Sequence, residues 1–412
     1  MMEKRKYLAS IVSAVSKLLS AEGISLLLAM AFNIILGREI KEEAFGAYSL
    51  ALIVAILMKT ISEAGLEISI PRDINRPGAD MKQSLFRGQE VKNTVWLMLI
   101  LPFIPLMYFT TGIWSSLIML LWVIPMNISF TYKAILRGKN RMGAIARYET
   151  VFNFIQYGAG ITLVFLFPEI WIIFILFMTA ELLKSLALYN YVRKYYSIND
   201  KYTALYKVNF GILKEKSFIK EHWSLLSINL FSLLHYRMPL FAAGWFGTAA
   251  AAGLFSAALR FISLLRVLPG IVLNVMIPVF SVRRSSGERG YRGMVFGISA
   301  AVGIAISLAL WMAAEPLMKH TFGFMKAVPV LKVLAWVYFP IMLNNTMEAW
   351  LLAEDRESEV NTGLFIALLV IFGASAWFII LYGSIGAAYA ALAGNYFITF
   401  YYVILIFKKT KS

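Results

Sequence analysis

The sequence of 412 residues contains no cysteine, so disulfide bonds, thiolate nucleophiles and iron–sulfur ligation are excluded. Histidine is almost as rare: His222, His235 and His320 are too scattered to indicate a histidine-rich metal site. Charged residues make up only 15% of the chain, whereas they make up about 25% of a soluble protein. This shortage of charge argues against a soluble enzyme, a nucleic-acid-binding protein and a secreted disulfide-stabilised scaffold.

The chain is rich in long apolar runs. Hydrophobic residues make up 60% of it and aromatic residues 15%. A membrane-spanning helix needs about 20 mostly apolar residues. Runs of this kind, interrupted by charges, glycine and proline, predict twelve spans. They lie near 8–36, 45–70, 93–112, 114–136, 144–167, 169–192, 221–243, 250–281, 293–314, 326–352, 360–382 and 384–407. We therefore expect an all-α integral membrane protein, with no cleavable signal peptide before its first span.

The basic residues behind the formal charge of +16 are distributed unevenly over the predicted topology. With the N-terminus inside, 29 of the 39 lysines and arginines fall on inner segments and four on outer loops. Cytoplasmic loops carry such an excess of basic residues. The asymmetry predicts a multi-pass protein of the cell membrane with both termini in the cytoplasm.

Six basic residues remain inside the predicted spans, where ionisable groups are costly and by default mark a functional pathway. For Lys17 and Lys332, a pathway role and an interfacial anchor are equally acceptable interpretations. Arg237, Arg260 and Arg266 lie deeper, which favours a water-filled cavity. The sixth is Lys59.

An internal repeat relates the two halves of the chain. At a constant offset, residues 45–76 match 252–283 with nine identities, including Pro71 with Pro278 and Arg76 with Arg283. The matching spans are six apart, so both copies run in the same direction. Parallel six-helix repeats with a substrate path between them are typical of transporters. The repeat predicts a six-helix lobe at 1–192, a basic cytoplasmic linker at 193–220 and a second six-helix lobe at 221–412.

Several short motifs resemble those of one family. They are Ile35–Arg38 with Glu43–Ser49, Gly65–Leu66 with Pro71–Ile74, Ala134–Gly138 with Arg141–Met142, Gly253–Arg260, and Ser384–Ala391. The chain resembles the O-antigen-type polysaccharide flippases of the multidrug/oligosaccharidyl-lipid/polysaccharide exporter superfamily. The resemblance implies two lobes around a central cavity and alternating access. It also implies export of an oligosaccharide on a polyprenyl phosphate or diphosphate, from the cytoplasmic to the outer leaflet.

One motif departs from the family. Many relatives have Tyr-x-Arg-Ile-Asp in the seventh span, whereas Tyr236-Arg237-Met238-Pro239 has proline where the aspartate would fall. Arg237 is retained, but no coupling role of that aspartate can be carried over to this chain.

Arginine suits such a cargo because its planar fork pairs with phosphate oxygens. The predicted substrate-binding residues are Arg237, Arg260, Arg266, Lys59 and Lys17. Glu63 and Glu22 are the candidates for proton or sodium coupling. The i, i+4 spacing of Lys59, Glu63 and Glu67 also fits a structural ladder of ion pairs.

We expect no cofactor, no catalytic residue and no nucleic-acid partner. The protein should be a monomer that works with polysaccharide-assembly proteins for cell-surface glycan assembly. A multidrug/cation antiporter of the same superfamily is one alternative, although the deep charges here are mainly basic. A membrane glycosyltransferase or polymerase acting on lipid-linked sugars is another. It is disfavoured because all four aspartates fall on inner segments.

Overall fold

The computed structural model describes residues 23–76, 80–196, 207–211, 216–286 and 291–408. Within these ranges the chain forms helices and contains no strand. An α-helix satisfies its backbone hydrogen bonds internally, as lipid requires of a spanning segment. The predicted all-α membrane fold is confirmed.

The first seven helices precede the basic segment in the middle of the chain. They are α1 (23–39), α2 (Glu42–Glu63), α3 (Leu66–Asp73), α4 (Met81–Thr111), α5 (Ile118–Gly138), α6 (Met142–Leu166) and α7 (Ile170–Tyr196). A single 3₁₀ turn, Trp114–Leu117, leads into α5. Local capping sets some of these boundaries: the Asp80 carboxylate accepts a hydrogen bond from the Lys82 N–H, and Gly112 ends α4 in the left-handed region.

Eight helices follow that segment. They are α8 (Lys216–Phe246), α9 (Ala249–Leu265), α10 (Val267–Ser286), α11 (Tyr291–His320), α12 (Val328–Ala335), α13 (Tyr338–Ala353), α14 (Glu357–Tyr382) and α15 (Ser384–Lys408). The Thr248 hydroxyl caps α9 by accepting a hydrogen bond from the Ala251 N–H.

Eight spans of the described chain are long and apolar enough to cross a membrane. The pair Ala249–Leu265 and Val267–Leu273, bent by 40°, makes a ninth. The multi-pass architecture is therefore shown, whereas the count of twelve stays a prediction.

Three of the predicted spans are each built from two helices. Residues 45–70 contain most of α2 and the start of α3, separated by Ala64 and Gly65, whose φ angles are 49° and 74°. A left-handed backbone cannot continue a right-handed helix. The spans at 250–281 and 326–352 are also divided, at Arg266 and at residues 336–337, although the backbone there stays in the right-handed region.

Contacts divide the chain into two compact units. The first consists of Met1–Glu39 and Ala51–Leu230, and the second of Ile40–Leu50 and Phe231–Ser412. The start of α2 thus belongs to the second unit and the remainder of α2 to the first. The predicted lobe boundaries stay a prediction.

Within the second unit, the start of α2 packs tightly against the start of α9. A Cβ atom on Gly46 would overlap the carbonyl oxygen of Ala249, and one on Gly253 would overlap the carbonyl oxygen of Glu42. Glycines allow helices to approach this closely. Gly46 and Gly253 are equivalent in the predicted repeat, and so are Glu42 and Ala249. The crossing is therefore symmetric at the residue level.

Candidate functional site

Two guanidinium groups of the second unit, those of Arg237 and Arg266, lie against Tyr236, and a third, that of Arg260, acts on Arg237; we call these three residues the arginine group. The Arg266 guanidinium carbon lies 3.9 Å from the centroid of the Tyr236 ring, and that of Arg237 lies 4.8 Å from it. The charges of Arg260 and Arg266 both act on Arg237. Three cations from α8, α9 and the break after α9 are thus brought into one region.

The Tyr236 side chain is held in place at its polar end. Its hydroxyl shares a hydrogen bond with the Ser263 hydroxyl, which in turn donates to the Leu259 carbonyl oxygen at 2.9 Å. The ring is therefore fixed as a support for the guanidinium groups of Arg237 and Arg266. Contacts between a cation and an aromatic face are worth about 0.5–2 kcal/mol each.

The arginine group has no acidic partner in the part of the chain that the structure describes. The Nε atoms of Arg237 and Arg260 are buried and donate no hydrogen bond there. Glu348 acts electrostatically on Arg266 but lies beyond ion-pairing distance. Uncompensated charge at membrane depth is costly unless it meets water or an anion. The arrangement is suited to binding an anionic group.

A small cavity adjoins Tyr236. It measures about 20 Å³ and has three polar lining residues, His235, Tyr236 and Asn395. This is room for about one water molecule. The Asn395 side-chain amide donates a hydrogen bond of 2.8 Å to the Ala391 carbonyl oxygen. The site is therefore polar beside the arginine group, although the rest of the lining is mostly apolar.

Lys59, another predicted site residue, lies in the first unit and is already paired. Its ammonium contacts the Glu63 carboxylate at 2.6 Å and lies 3.5 Å from the centroid of the Phe130 ring. The i, i+4 ion pair that the spacing predicts is therefore present. Glu67 instead accepts a hydrogen bond from Arg137 at 2.9 Å. Lys17 and Glu22 lie outside the described residues.

A larger set of ion pairs was missed by sequence reasoning. Lys133 pairs with Glu149 at 2.6 Å, and Lys184 pairs with Glu149 at 3.5 Å and with Glu181 at 2.7 Å. The Glu181 carboxylate also accepts a hydrogen bond from the Ser129 hydroxyl. These side chains come from α5, α6 and α7, so the network ties three helices together.

Three lysines of the first unit, Lys92, Lys133 and Lys184, are among the 29 basic residues counted on inner segments. The structure places all three within helices with buried side chains. Their burial was not predicted, because a count of charges along the sequence does not show which of them pack between helices. The signal that could have found one of them is the i, i+3 spacing of Glu181 and Lys184 within α7.

A comparison with protein families identifies the chain. The family model described as polysaccharide biosynthesis protein matches residues 11–284, more than half of the sequence. The chain belongs to this family. No curated protein matches it by sequence.

Solved structures share the fold of this polysaccharide biosynthesis family member. A lipid II flippase, MurJ, in an inward closed conformation, superimposes with a TM-score of 0.75 at 14% identity, covering 94% of this chain and 86% of the flippase. An inward-facing multidrug resistance MATE family transporter of the MOP superfamily gives 0.67 at 15% identity, covering 94% and 96% of the two chains. A MOP superfamily transporter from Pyrococcus furiosus gives 0.61 at 15% identity, covering 96% and 94%.

These likenesses show that the family member described here shares its fold with these three proteins. The predicted relationship to polysaccharide proteins is confirmed by the family match. At such identities the neighbours carry no information on substrate.

Proposed function

We propose that this protein flips an oligosaccharide linked to a polyprenyl phosphate or diphosphate from the cytoplasmic to the outer leaflet by alternating access. The observation that carries the proposal is the arginine group, which gathers three cations without an acidic partner among the described residues. Membership of a polysaccharide biosynthesis family supports a glycan as cargo.

The chemistry of the cargo fits that of the arginine group. Moving phosphate through an apolar layer is opposed by the cost of burying its charge. Guanidinium groups offset this cost because each can donate two parallel hydrogen bonds to phosphate oxygens. The polyprenyl tail is apolar and needs no such site, since it can stay in the surrounding lipid.

The two units contribute differently to this proposal. In the first unit Lys59, Lys133 and Lys184 are already paired with glutamates, so their charges are compensated and bind an anionic substrate less strongly. In the second unit the charge of Arg237, Arg260 and Arg266 is available. We therefore rank the arginine group above Lys59 as the phosphate-binding site.

Transport of this kind needs no bond making, so the proposed function involves no enzyme activity. The excess of basic residues on predicted inner segments supports placement in the cytoplasmic membrane with both termini on the cytoplasmic side.

A multidrug/cation antiporter is the second candidate, because a MATE family transporter shares the fold. A cationic drug would require carboxylates that are free to bind it. The buried carboxylates of Glu63 and Glu181 and the partly buried carboxylate of Glu149 in the first unit are instead paired with lysines. The glycan lipid is therefore the better match.

The two candidates are separated by one transport assay on the purified full-length protein in proteoliposomes. One set of vesicles contains a fluorescent polyprenyl-diphosphate-linked trisaccharide, whose leaflet is reported by a membrane-impermeant quencher. A second set is offered the cationic dye ethidium. We expect protein-dependent flipping of the lipid and no dye transport. Dye transport without lipid flipping would establish the antiporter instead.

A further inference from the structure

A second site, in the first unit, has unusual charge geometry. Glu63 on α2 lies between two lysines, with Lys59 Nζ at 2.6 Å from one carboxylate oxygen and Lys92 Nζ at 3.7 Å from the other. All three side chains are buried, and that of Lys92 on α4 is completely so, with 0% exposure. We call Lys59, Glu63 and Lys92 the lysine–glutamate triad.

The two lysines of the triad are not equivalent. Lys59 contacts Glu63 directly and also lies against the Phe130 ring. No group in the described chain lies within hydrogen-bonding distance of Lys92 Nζ or of the nearby Glu63 oxygen. A fully buried ammonium without a hydrogen-bond acceptor is costly, whereas a neutral amine in the same place is much less so.

Charge balance gives the triad two states. With Lys92 neutral, Lys59 and Glu63 form a compensated pair and the triad has no net charge. With Lys92 protonated, the triad carries one positive charge, and Glu63 gains a second cation that competes with Lys59. The proton then resides on Lys92 Nζ, and the same N–H bond breaks when it leaves.

Other charged groups around Lys92 do not remove this imbalance. Glu67 on α3 and Lys133 on α5 act on it electrostatically with opposite signs. Glu67 is already bonded to Arg137, and Lys133 to Glu149. On α4 itself, Glu90 is paired with Lys207 at 2.8 Å. Each of these acids thus has its own cation, and Glu63 is left to be shared.

We propose that the lysine–glutamate triad is a proton-binding site, with Lys92 as the group that takes up and releases the proton and Glu63 as its counter-ion. Proton binding by the triad is independent of the proposed function. Only the coupling, in which this proton drives export of the lipid, rests on it. Two lysines facing one carboxylate repel a metal cation, so the triad selects a proton over sodium.

The first test measures proton binding directly and uses no lipid-linked sugar. The full-length protein in detergent is titrated from neutral to alkaline pH with an indicator dye, alongside Lys92→Met. We expect the wild type to release one more proton than Lys92→Met near neutral pH. Lys133→Met is the matched control. Like Lys92, Lys133 is a buried lysine, but it lies against Phe130 and its ammonium is paired with Glu149. It should release as many protons there as the wild type.

The second test measures coupling in proteoliposomes containing the fluorescent polyprenyl-diphosphate-linked trisaccharide. A pH gradient that is acidic on the receiving side should accelerate flipping, by up to about tenfold for each unit of pH and each coupled proton. A sodium gradient should have no effect. Lys92→Met and Lys92→Arg should keep downhill flipping and lose acceleration by the pH gradient, whereas Lys133→Met should keep both.

The outcomes decide between the proposals. Identical proton release by the wild type and Lys92→Met, or a folded Lys92 variant that still responds to the pH gradient, would overturn the proton site. If Lys92→Met does not fold, Lys92→Arg gives the same decision, because arginine keeps its proton in both states. Wild-type protein that releases the extra proton but flips no lipid would leave the proton site standing and would refute the proposed function.

Discussion

The hydroxyl of Ser256 on α9 donates a hydrogen bond of 2.8 Å to the hydroxyl of Ser49 on α2, across 207 residues of sequence. Both side chains are buried, with 2% and 1% exposure. The separation equals the offset of the internal repeat, so two equivalent residues of the two copies bind each other. Gly46 and Gly253 lie at the same crossing and bring the two helices close enough for this bond.

The crossing of α2 and α9 should be sensitive to any added side chain. Gly46→Val places methyl groups where the Ala249 carbonyl lies, and we expect a loss of roughly 1–3 kcal/mol of stability or more, as overpacking usually costs. Gly297→Val on α11 is the matched control, because a Cβ there meets no atom within 4 Å. Thermal unfolding in detergent measures both variants, and equal melting temperatures would show that the crossing is not tightly packed.

Removal of a guanidinium group from the arginine group should weaken export of the anionic lipid. A hydrogen bond to a charged group contributes about 1.5–3 kcal/mol, so Arg266→Ala should reduce flipping by roughly 10- to 100-fold. Arg266→Lys keeps the charge without the planar fork, so its flipping rate should lie between those of the wild type and Arg266→Ala. Flipping of the labelled lipid in proteoliposomes is the measurement. Full activity of Arg237→Ala, Arg260→Ala and Arg266→Ala would place the phosphate elsewhere.

Tyr236 should act through its ring more than through its hydroxyl. Tyr236→Phe removes the hydrogen bond to Ser263 but keeps the aromatic face below Arg237 and Arg266. We expect it to flip lipid within a few-fold of the wild type. Tyr236→Ala removes two cation–aromatic contacts of about 0.5–2 kcal/mol each, so its flipping rate should fall by at least about fivefold. A lower flipping rate for Tyr236→Phe than for Tyr236→Ala would show that the hydroxyl matters more than the ring.

The ion-pair network of the first unit should stabilise folding. Glu149→Gln leaves Lys133 and Lys184 without their shared carboxylate, and removal of one partner of a buried pair costs about 3–5 kcal/mol. Glu67→Gln is the control, since its partner Arg137 is 41% exposed at the side chain, and exposed pairs contribute at most about 1 kcal/mol. Denaturant or thermal unfolding in detergent should show a much larger effect for Glu149→Gln. Equal effects would mean that the network adds nothing to stability.

Sequence reasoning located the elements of the arginine group but not their arrangement. Arg237, Arg260 and Arg266 stood out as deep cations because each interrupts an apolar run, which is a local property. That Arg237 and Arg266 both lie against Tyr236 depends on the packing of α8 and on the break after α9. Neither can be read from spacing alone.

The ion pairs of the first unit illustrate the same limit. Lys59 and Glu63 were recognisable because one helical turn separates them. Lys92 lies on α4, and its approach to Glu63 on α2 has no local pattern. Lys92 is therefore not among the site residues that the sequence predicts.

The sequence alone establishes an all-α membrane protein with an internal repeat, because apolar run length and residue identity at a constant offset are properties of the linear chain. The tertiary structure alone decides which buried charges are compensated. Glu149 reaches both Lys133 and Lys184, while the residues of the arginine group form no ion pair with a carboxylate in the described chain. The physical reason is that an ion pair depends on a separation of a few ångströms between side chains. Only helix packing sets that separation for residues on different helices.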